Sequence, residues 1–271
     1  MNVCARWAPR SSVSTADEVP LAAAIPIWEI GGWRERFGVT AGITGRGPDP
    51  AAPFDLGLWT ERPVRDVMER WHRLHSHFAA HPSLIMSHQV HGSRVLWHDG
   101  APAGWTIIGG ADGHATAAPG RLMLVTVADC IPIYLVAPHQ RAAALLHAGW
   151  RGTGAGIMAR GVEALREGVR ARPRDIVMHL GVGICGRCYE VGSEVMAAVG
   201  RPADGPGPWH LDLRSVLLDQ AASLGIGEVT TSSHCSACDK DRFFSHRGSA
   251  GADGRMVAYL GFAQGRATSK K

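Results

Sequence analysis

Residues 128–152 read A-D-C-I-P-I-Y-L-V-A-P-H-Q-R-A-A-A-L-L-H-A-G-W-R-G, and they contain the pattern that decides the fold. Two apolar runs flank a polar turn at residues 138–141, and a further run at residues 122–127 precedes them. Short apolar runs between turn residues are typical of buried β-strands. We therefore predict adjacent strands here, with Cys130 and His147 brought together near their ends.

A thiolate beside an imidazole is either a nucleophile with its base or a pair of metal ligands. His91 follows another predicted strand, at residues 84–90, and adds a second imidazole. Two histidines and one cysteine are ligands that zinc favours, and they leave a fourth position for water or substrate. From these residues alone both interpretations stay open, as does a buried free cysteine near hydrogen-bonded histidines.

Composition indicates an ordinary globular protein. The chain has 271 residues, of which 45% are hydrophobic and 19% charged. Predicted strands alternate with predicted helices, and neither a linker nor an internal repeat separates two cores, so we predict one mixed α/β domain. We expect a flexible arm at residues 1–27, a single catalytic domain at residues 28–264 and a frayed tail at residues 265–271. The helices are expected at residues 63–78, 157–169, 193–199 and 212–224.

Charge and hydropathy exclude several classes of partner. The net charge is only +4, without a run of lysine or arginine, so we expect no nucleic-acid partner. We also expect no membrane partner, because no apolar run has membrane-spanning length. The apolar patch at residues 21–27 lacks the features of a signal peptide, and six cysteines are too few for a disulfide scaffold of this length. A cytoplasmic protein is the expectation.

Two C-x-x-C pairs, Cys185 with Cys188 and Cys235 with Cys238, are typical of structural zinc sites. However, 46 residues lie between the pairs, where compact zinc sites of this type have about 15–20. On spacing alone we favour neither a four-cysteine zinc site nor a redox pair.

Six further motifs occur in one order, and together they carry a resemblance. They are V-H-G at 90–92, A-D-C-I-P-I at 128–133, H-A-G-W-R-G at 147–152, G-V-G-I-C-G-R-C-Y-E-V-G at 181–192, F-F-S-H-R at 243–247 and G-R-M at 254–256. The chain resembles the YfiH-like family over residues 37–262. That family is also called multicopper polyphenol oxidase or laccase-like, and its members are described as purine nucleoside phosphorylases.

The resemblance implies a single-domain, layered α/β/β/α sandwich with mixed β-sheets. It also implies one zinc ion bound by His91, Cys130 and His147, which are then the catalytic residues too. The implied substrates are small-molecule purine nucleosides, namely adenosine, inosine, guanosine and methylthioadenosine, with inorganic phosphate as co-substrate. Adenosine deamination is implied as a second activity, and we expect a monomer or a homodimer.

Phosphorolysis requires cationic groups and N–H donors that hold phosphate in line with the ribosyl C1′. Arg46, Arg151 and Arg247 are the candidates for this role. The glycine-rich residues 152–156, which lead into a predicted helix, also suit an oxyanion. Asp129 adjoins Cys130 and is expected to orient a ligand histidine.

Two other functions are carried as alternatives. The first is a metal-free cysteine hydrolase that edits peptidoglycan precursors, with Cys130 as nucleophile and His147 as base. The second is a non-catalytic protein that binds zinc or a partner. Oxidase activity is not expected, because several coppers require many clustered histidines and no H-x-H pair occurs in these motifs.

Overall fold

The structure is a computed structural model that describes residues 13–60, 62–100 and 102–264. Two seven-stranded sheets and one small two-stranded sheet form its framework. The strands are β1 Ser14–Thr15, β2 Glu18–Pro20, β3 Ile27–Ile30, β4 Val39–Thr44, β5 Ser83–His88, β6 Val95–Trp97, β7 Gly104–Gly109, β8 Gly113–Thr116, β9 Arg121–Val127, β10 Ile131–Ala137, β11 Ala142–Ala148, β12 Val177–Leu180, β13 Glu190–Val191, β14 Trp209–His210, β15 Glu228–Thr231 and β16 Met256–Phe262.

Helices pack on the outer face of each large sheet. The helices are α1 Trp33–Phe37, α2 Val64–His77, α3 Trp150–Gly154, α4 Ile157–Val169, α5 Ser193–Ala198 and α6 Leu213–Leu224. None of the helices in the described part of the chain is both long and apolar enough to cross a bilayer.

Both large sheets are mixed. The first has the order β1-β15-β12-β10-β11-β8-β6, and the second has the order β2-β3-β4-β16-β9-β5-β7. In the first sheet β10 runs antiparallel to both β11 and β12, whereas β12 and β15 run parallel. Parallel neighbours need a long crossover, and the chain between β12 and β15 contains α5 and α6.

The alternation of side chains along the strands explains the layers. In β10, Tyr134 and Val136 face the second sheet, while Ile133 and Leu135 pack among residues of α4 and α6. Every residue of β10 is buried, because it is covered on both faces. In the second sheet, one face of β9 packs between the sheets and the other packs against α2. The expected single-domain α/β/β/α sandwich with mixed sheets is therefore confirmed.

Two local expectations are wrong. Part of the expected flexible arm forms β1 and β2, which pair with β15 and β3. Glu18 is buried in this segment and accepts hydrogen bonds from Ser232 and the backbone of Val182, which holds residues 13–20 in place. The glycine-rich residues 109–116, whose composition is typical of a turn, instead contain the end of β7 and the whole of β8. Residues 1–12 of the arm and the expected tail, 265–271, lie outside the described residues.

Candidate metal centre

His91, Cys130 and His147 come together at one edge of the first sheet. Cys130 immediately precedes β10, and His147 lies near the end of β11, opposite Pro132 in the antiparallel register. His91 follows β5 from the second sheet, with a positive φ of 59°. One potential ligand atom from each of the three residues lies within 4.8 Å of the others. The three residues predicted as ligands are therefore neighbours, and the cluster could hold a metal.

Burial differs across the cluster. His147 is buried, Cys130 is half-buried and His91 is exposed. The His91 and His147 rings meet edge-on with their centroids 4.9 Å apart. One side of the centre therefore opens to solvent, which is the arrangement expected where a substrate or a water must approach.

Gly149 explains why the motif after His147 contains glycine. A Cβ atom at this position would lie 3.0 Å from Cys130 Sγ and 3.3 Å from His91 Cδ2. Any side chain would therefore press on two of the three ligands at once. The glycine lets the backbone pass close beside the centre.

Asp112 is the residue that the sequence analysis missed. Its Oδ1 accepts a hydrogen bond of 2.9 Å from His147 Nδ1 and another of 2.9 Å from the backbone N–H of His91. Its Oδ2 accepts from the N–H groups of Val90 and Gly92, at 3.2 and 2.8 Å. Since Nδ1 of His147 donates to a carboxylate, Nε2 is the nitrogen left to bind a metal or to hold a proton.

The same carboxylate thus fixes a buried imidazole and the loop that carries His91. Asp112 is fully buried and lies in the short glycine-rich connection between β7 and β8. The signal available in the sequence was an acid flanked by glycines directly before a strand, G-G-A-D-G. Its partners are 20 to 35 residues away, so no local spacing identifies them.

The electrostatics of the cluster favour a thiolate beside an imidazolium. Burial opposes ionisation of Cys130, but the charge and hydrogen bonds of His147 and His91 lower the pKa of Cys130 to about 6. Burial also disfavours the charged form of His147, yet Cys130 and Asp112 raise its pKa to about 9. A cysteine that is already a thiolate near neutral pH is suited either to bind a soft metal or to act as a nucleophile.

Asp129 has a different partner set from the one expected. Its carboxylate accepts hydrogen bonds from the hydroxyls of Ser236 and Ser245, both at 2.6 Å, and from the N–H of Arg247, also at 2.6 Å. Among the hydrogen bonds of the described residues, the histidine-orienting contact belongs to Asp112 instead. Asp129, which immediately precedes Cys130, therefore holds the loop that contains Ser236 and the loop that contains Ser245 and Arg247.

The guanidinium of Arg46 contacts residues that are not part of the cluster. Its guanidinium donates to the carbonyl oxygens of Lys240 and Phe243, pairs with Asp253 and lies 4.4 Å from the ring centroid of Phe244. These contacts connect the end of β4 to residues 240–253. They give Arg46 a structural role, which any phosphate binding would have to accommodate.

The other two candidate arginines, Arg151 and Arg247, act electrostatically on Tyr189, which the sequence analysis did not select. Burial and the charge of Cys130 raise the pKa of Tyr189 to about 12, while Arg247 and Arg151 act in the opposite direction. Arg247 lies over the Tyr189 ring at 5.3 Å, and Arg151 is exposed and lies over Trp150 at 4.0 Å. The Tyr189 side chain is therefore within electrostatic range of both arginines and of the Cys130 thiolate.

The expected glycine-lined helix start is only partly present. Residues 150–154 form the short helix α3, and α4 begins afterwards at Ile157. Two of the three glycines therefore lie inside α3, and only Gly156 precedes α4, with a φ of 77°. A helix of five residues has too few aligned peptide dipoles to act as an anion site by itself.

Comparison with known proteins identifies the family of this chain. A family model described as multi-copper polyphenol oxidoreductase laccase matches residues 36–263. The chain belongs to this family. The purine nucleoside phosphorylase YlmD of Geobacillus stearothermophilus is 33% identical over 248 residues, which are 83% of this chain and 90% of that protein.

Solved structures of family members have the same fold. The YlmD crystal structure from Geobacillus stearothermophilus matches with a TM-score of 0.80 and 29% identity, over 91% of this chain and all of that one. A hypothetical protein YfiH of Bacillus licheniformis matches with a TM-score of 0.81 and 26% identity, over 89% and 98%. The adenosine deaminase RL5 of an unknown prokaryotic organism is also similar, with 36% identity over 60% of this chain and 69% of that protein.

Proposed function

We propose that this protein is a zinc-containing purine nucleoside phosphorylase with adenosine deaminase activity. The observation that carries the proposal is the open cluster of His91, Cys130 and His147, whose buried histidine is oriented by Asp112. The names of YlmD and RL5 support the same substrate class, because one is a purine nucleoside phosphorylase and the other an adenosine deaminase. Adenosine, inosine, guanosine and methylthioadenosine remain the proposed substrates, and inorganic phosphate the co-substrate.

The donor set of the centre fits zinc. A thiolate and two imidazoles give three ligands and leave one position open, as in catalytic zinc sites. A bound zinc ion supplies Lewis acidity and lowers the pKa of a coordinated water molecule. Cys130 contributes a thiolate that is stable near neutral pH, and Asp112 holds His147 in the tautomer whose Nε2 faces the cluster.

The two reactions require different groups beside the centre. In phosphorolysis a phosphate oxygen bonds to C1′ of the ribose while the N-glycosidic bond breaks, and the base leaves with a proton. Arg247, whose guanidinium lies 5.3 Å from the Tyr189 ring centroid, and Arg151, which acts electrostatically on the same tyrosine, are the proposed phosphate ligands. In deamination a water oxygen bonds to C6 of adenine and ammonia leaves, which needs no phosphate.

The test is to incubate the purified protein with adenosine and with inosine, with and without phosphate, while base release and ammonia are followed separately. We expect base release that depends on phosphate, and ammonia from adenosine in both conditions. His147→Ala should lose the zinc of this centre and both activities, whereas His139→Ala, at an exposed turn, should retain them. A fully active His147→Ala protein that lacks the zinc of this centre would refute the proposal.

One observation favours a second candidate, a metal-free cysteine hydrolase. The Cys130 thiol is hydrogen-bonded to His147, and His147 in turn donates to Asp112. A nucleophile, its base and the acid that orients the base contact one another in the same order. The hydrolase predicts that the centre at Cys130 contains no metal and that strong chelators leave turnover unchanged. Metal analysis of the active protein, followed by dialysis against a chelator and addition of zinc, separates the two candidates.

A further inference from the structure

A second cluster of sulfur atoms lies outside the candidate centre. Cys185 and Cys188 follow β12, and Cys235 and Cys238 follow β15. Because β12 and β15 are parallel neighbours, the loops that follow them leave the sheet at the same edge. A bridge between Gly183 and Cys235 continues the pairing into these loops. The 46 residues between the pairs therefore form a crossover connection that ends at the same edge of the sheet where it began. Their number does not prevent the two pairs from forming one site.

The distances between the sulfur atoms agree with tetrahedral coordination. All four lie within 4.8 Å of one another. The Sγ atom of Cys238 lies 3.4 Å from that of Cys188 and 4.0 Å from that of Cys185. Zinc–sulfur bonds of about 2.3 Å at tetrahedral angles place the sulfurs about 3.8 Å apart. The two measured separations lie on either side of that value.

The backbone around the cluster is arranged to support thiolates. The N–H of Cys185 donates to Cys235 Sγ at 3.2 Å, so one pair contributes a hydrogen bond to the other. Within each pair the chain makes a tight turn, with Cys188 N–H donating to Cys185 O at 3.0 Å and Asp239 N–H donating to Cys235 O at 2.8 Å. N–H donors aimed at a sulfur stabilise its ionised form, which is the form that binds a metal.

The oxidation state of Cys238 decides whether all four cysteines can bind a metal. Cys185, Cys188 and Cys235 are free thiols, whereas Cys238 is disulfide-bonded in this structure. A low-molecular-weight thiol would reduce that bond: two of its thiols become one disulfide, and Cys238 and its former partner each gain a proton. Binding one Zn²⁺ then releases the four cysteine protons and leaves a site of net charge −2.

We propose that Cys185, Cys188, Cys235 and Cys238 form a four-cysteine zinc site in the reduced protein, distinct from the centre at Cys130. All four positions of the metal are filled by sulfur, so the site is structural and has no place for substrate. It clamps the loop after β12 to the loop after β15. Oxidation of Cys238 to its disulfide removes one ligand, which makes occupancy dependent on the thiol balance of the surroundings.

The experiment is zinc determination on the full-length protein, purified without oxygen in the presence of a thiol reductant. We expect Cys188→Ser to contain one zinc per chain fewer than the unchanged protein. Cys130→Ser is the matched control, since it makes the same chemical change in the other cluster. If the centre at Cys130 binds zinc, this variant also loses one zinc, and the double variant contains none. If that centre binds no zinc, only Cys188→Ser loses the metal, so the two proposals fail separately.

An equal zinc content in Cys188→Ser and the unchanged protein would overturn the second site. If Cys188→Ser does not fold, thiol alkylation of the unchanged reduced protein decides instead. We expect the four cysteines to react slowly until a chelator is added and then to react together, as read by peptide mass. Rapid alkylation of all four in zinc-loaded protein contradicts the proposal.

Discussion

Replacing Asp112 by asparagine tests how the metal centre is oriented. The carboxylate accepts hydrogen bonds from His147 Nδ1 and from three consecutive backbone N–H groups. The amide keeps only one oxygen as an acceptor, so one side of the residue presents N–H₂ to groups that are themselves donors. Loss of such a contact to a ligand histidine lowers metal affinity by about 10- to 100-fold, or about 1.4–2.8 kcal/mol.

The effects of Asp112→Asn on zinc affinity and on fold stability have to be measured separately. The unpaired backbone donors in the V-H-G loop also destabilise the fold, by about 1–3 kcal/mol for each buried group left unsatisfied. Zinc affinity is obtained by competition with a chromogenic chelator at a temperature where the variant is folded. Stability is obtained from denaturant unfolding of the metal-free protein. Asp99→Asn is the control, because Asp99 is exposed and accepts a hydrogen bond from the indole N–H of Trp97, which is not part of the centre.

We expect Asp112→Asn to show weaker zinc binding together with a lower unfolding free energy, and Asp99→Asn to show neither. A zinc affinity within twofold of the unchanged protein, measured on folded Asp112→Asn, would refute the role of Asp112 in orienting His147. If only the unfolding free energy falls, the Asp112 carboxylate stabilises the V-H-G loop and does not orient His147.

Three further predictions concern other positions. Gly149→Ala should lower zinc affinity about tenfold with little change in melting temperature, because the new methyl group meets Cys130 Sγ and His91; unchanged affinity would contradict this. His81 is buried without a hydrogen-bond partner for either ring nitrogen, and burial lowers its pKa to about 4. The unfolded chain therefore takes up a proton below pH 6.5 that the folded chain refuses, so stability should fall by about 3 kcal/mol between pH 6.5 and 4. His81→Leu should remove that part of the pH dependence in denaturant titrations, and identical pH profiles would count against it. Arg46→Ala should lower the unfolding free energy by about 1–3 kcal/mol through lost contacts to residues 240–253, with phosphate KM unchanged. A raised phosphate KM at full stability would instead support Arg46 as a phosphate ligand.

The parts of the fold that could be predicted are those fixed by local pattern. The two apolar runs around the turn at residues 138–141 became β10 and β11, and their antiparallel register places Pro132 opposite His147. The intervals of three and four between apolar residues predicted α2 within one residue at each end. In both cases the signal lies within about fifteen residues, so sequence spacing translates directly into distance.

The contacts that could not be predicted depend on strand order. Asp112 meets His147 because β8 pairs with β11, and the sequence contains nothing that specifies this neighbour. The two C-x-x-C pairs looked too far apart for the same reason, since their proximity follows from the parallel pairing of β12 and β15. Short apolar strands resemble one another in pattern, and their order is decided by packing of the whole domain.

Asp129 shows how the two cysteine clusters are mechanically connected. Its φ of 89° is a left-handed conformation that costs about 1–3 kcal/mol for a residue with a side chain, and it sets the direction from which Cys130 enters the centre. The backbone oxygen of Asp129 accepts from Ile184 N–H, next to Cys185, and its carboxylate accepts from Ser236, next to Cys235. Both segments that carry the second cluster therefore hold Asp129 in this conformation. Anything that fastens those segments together also fixes the position of Cys130, so a structural site at one end of β12 and β15 would help to keep this thiolate in place.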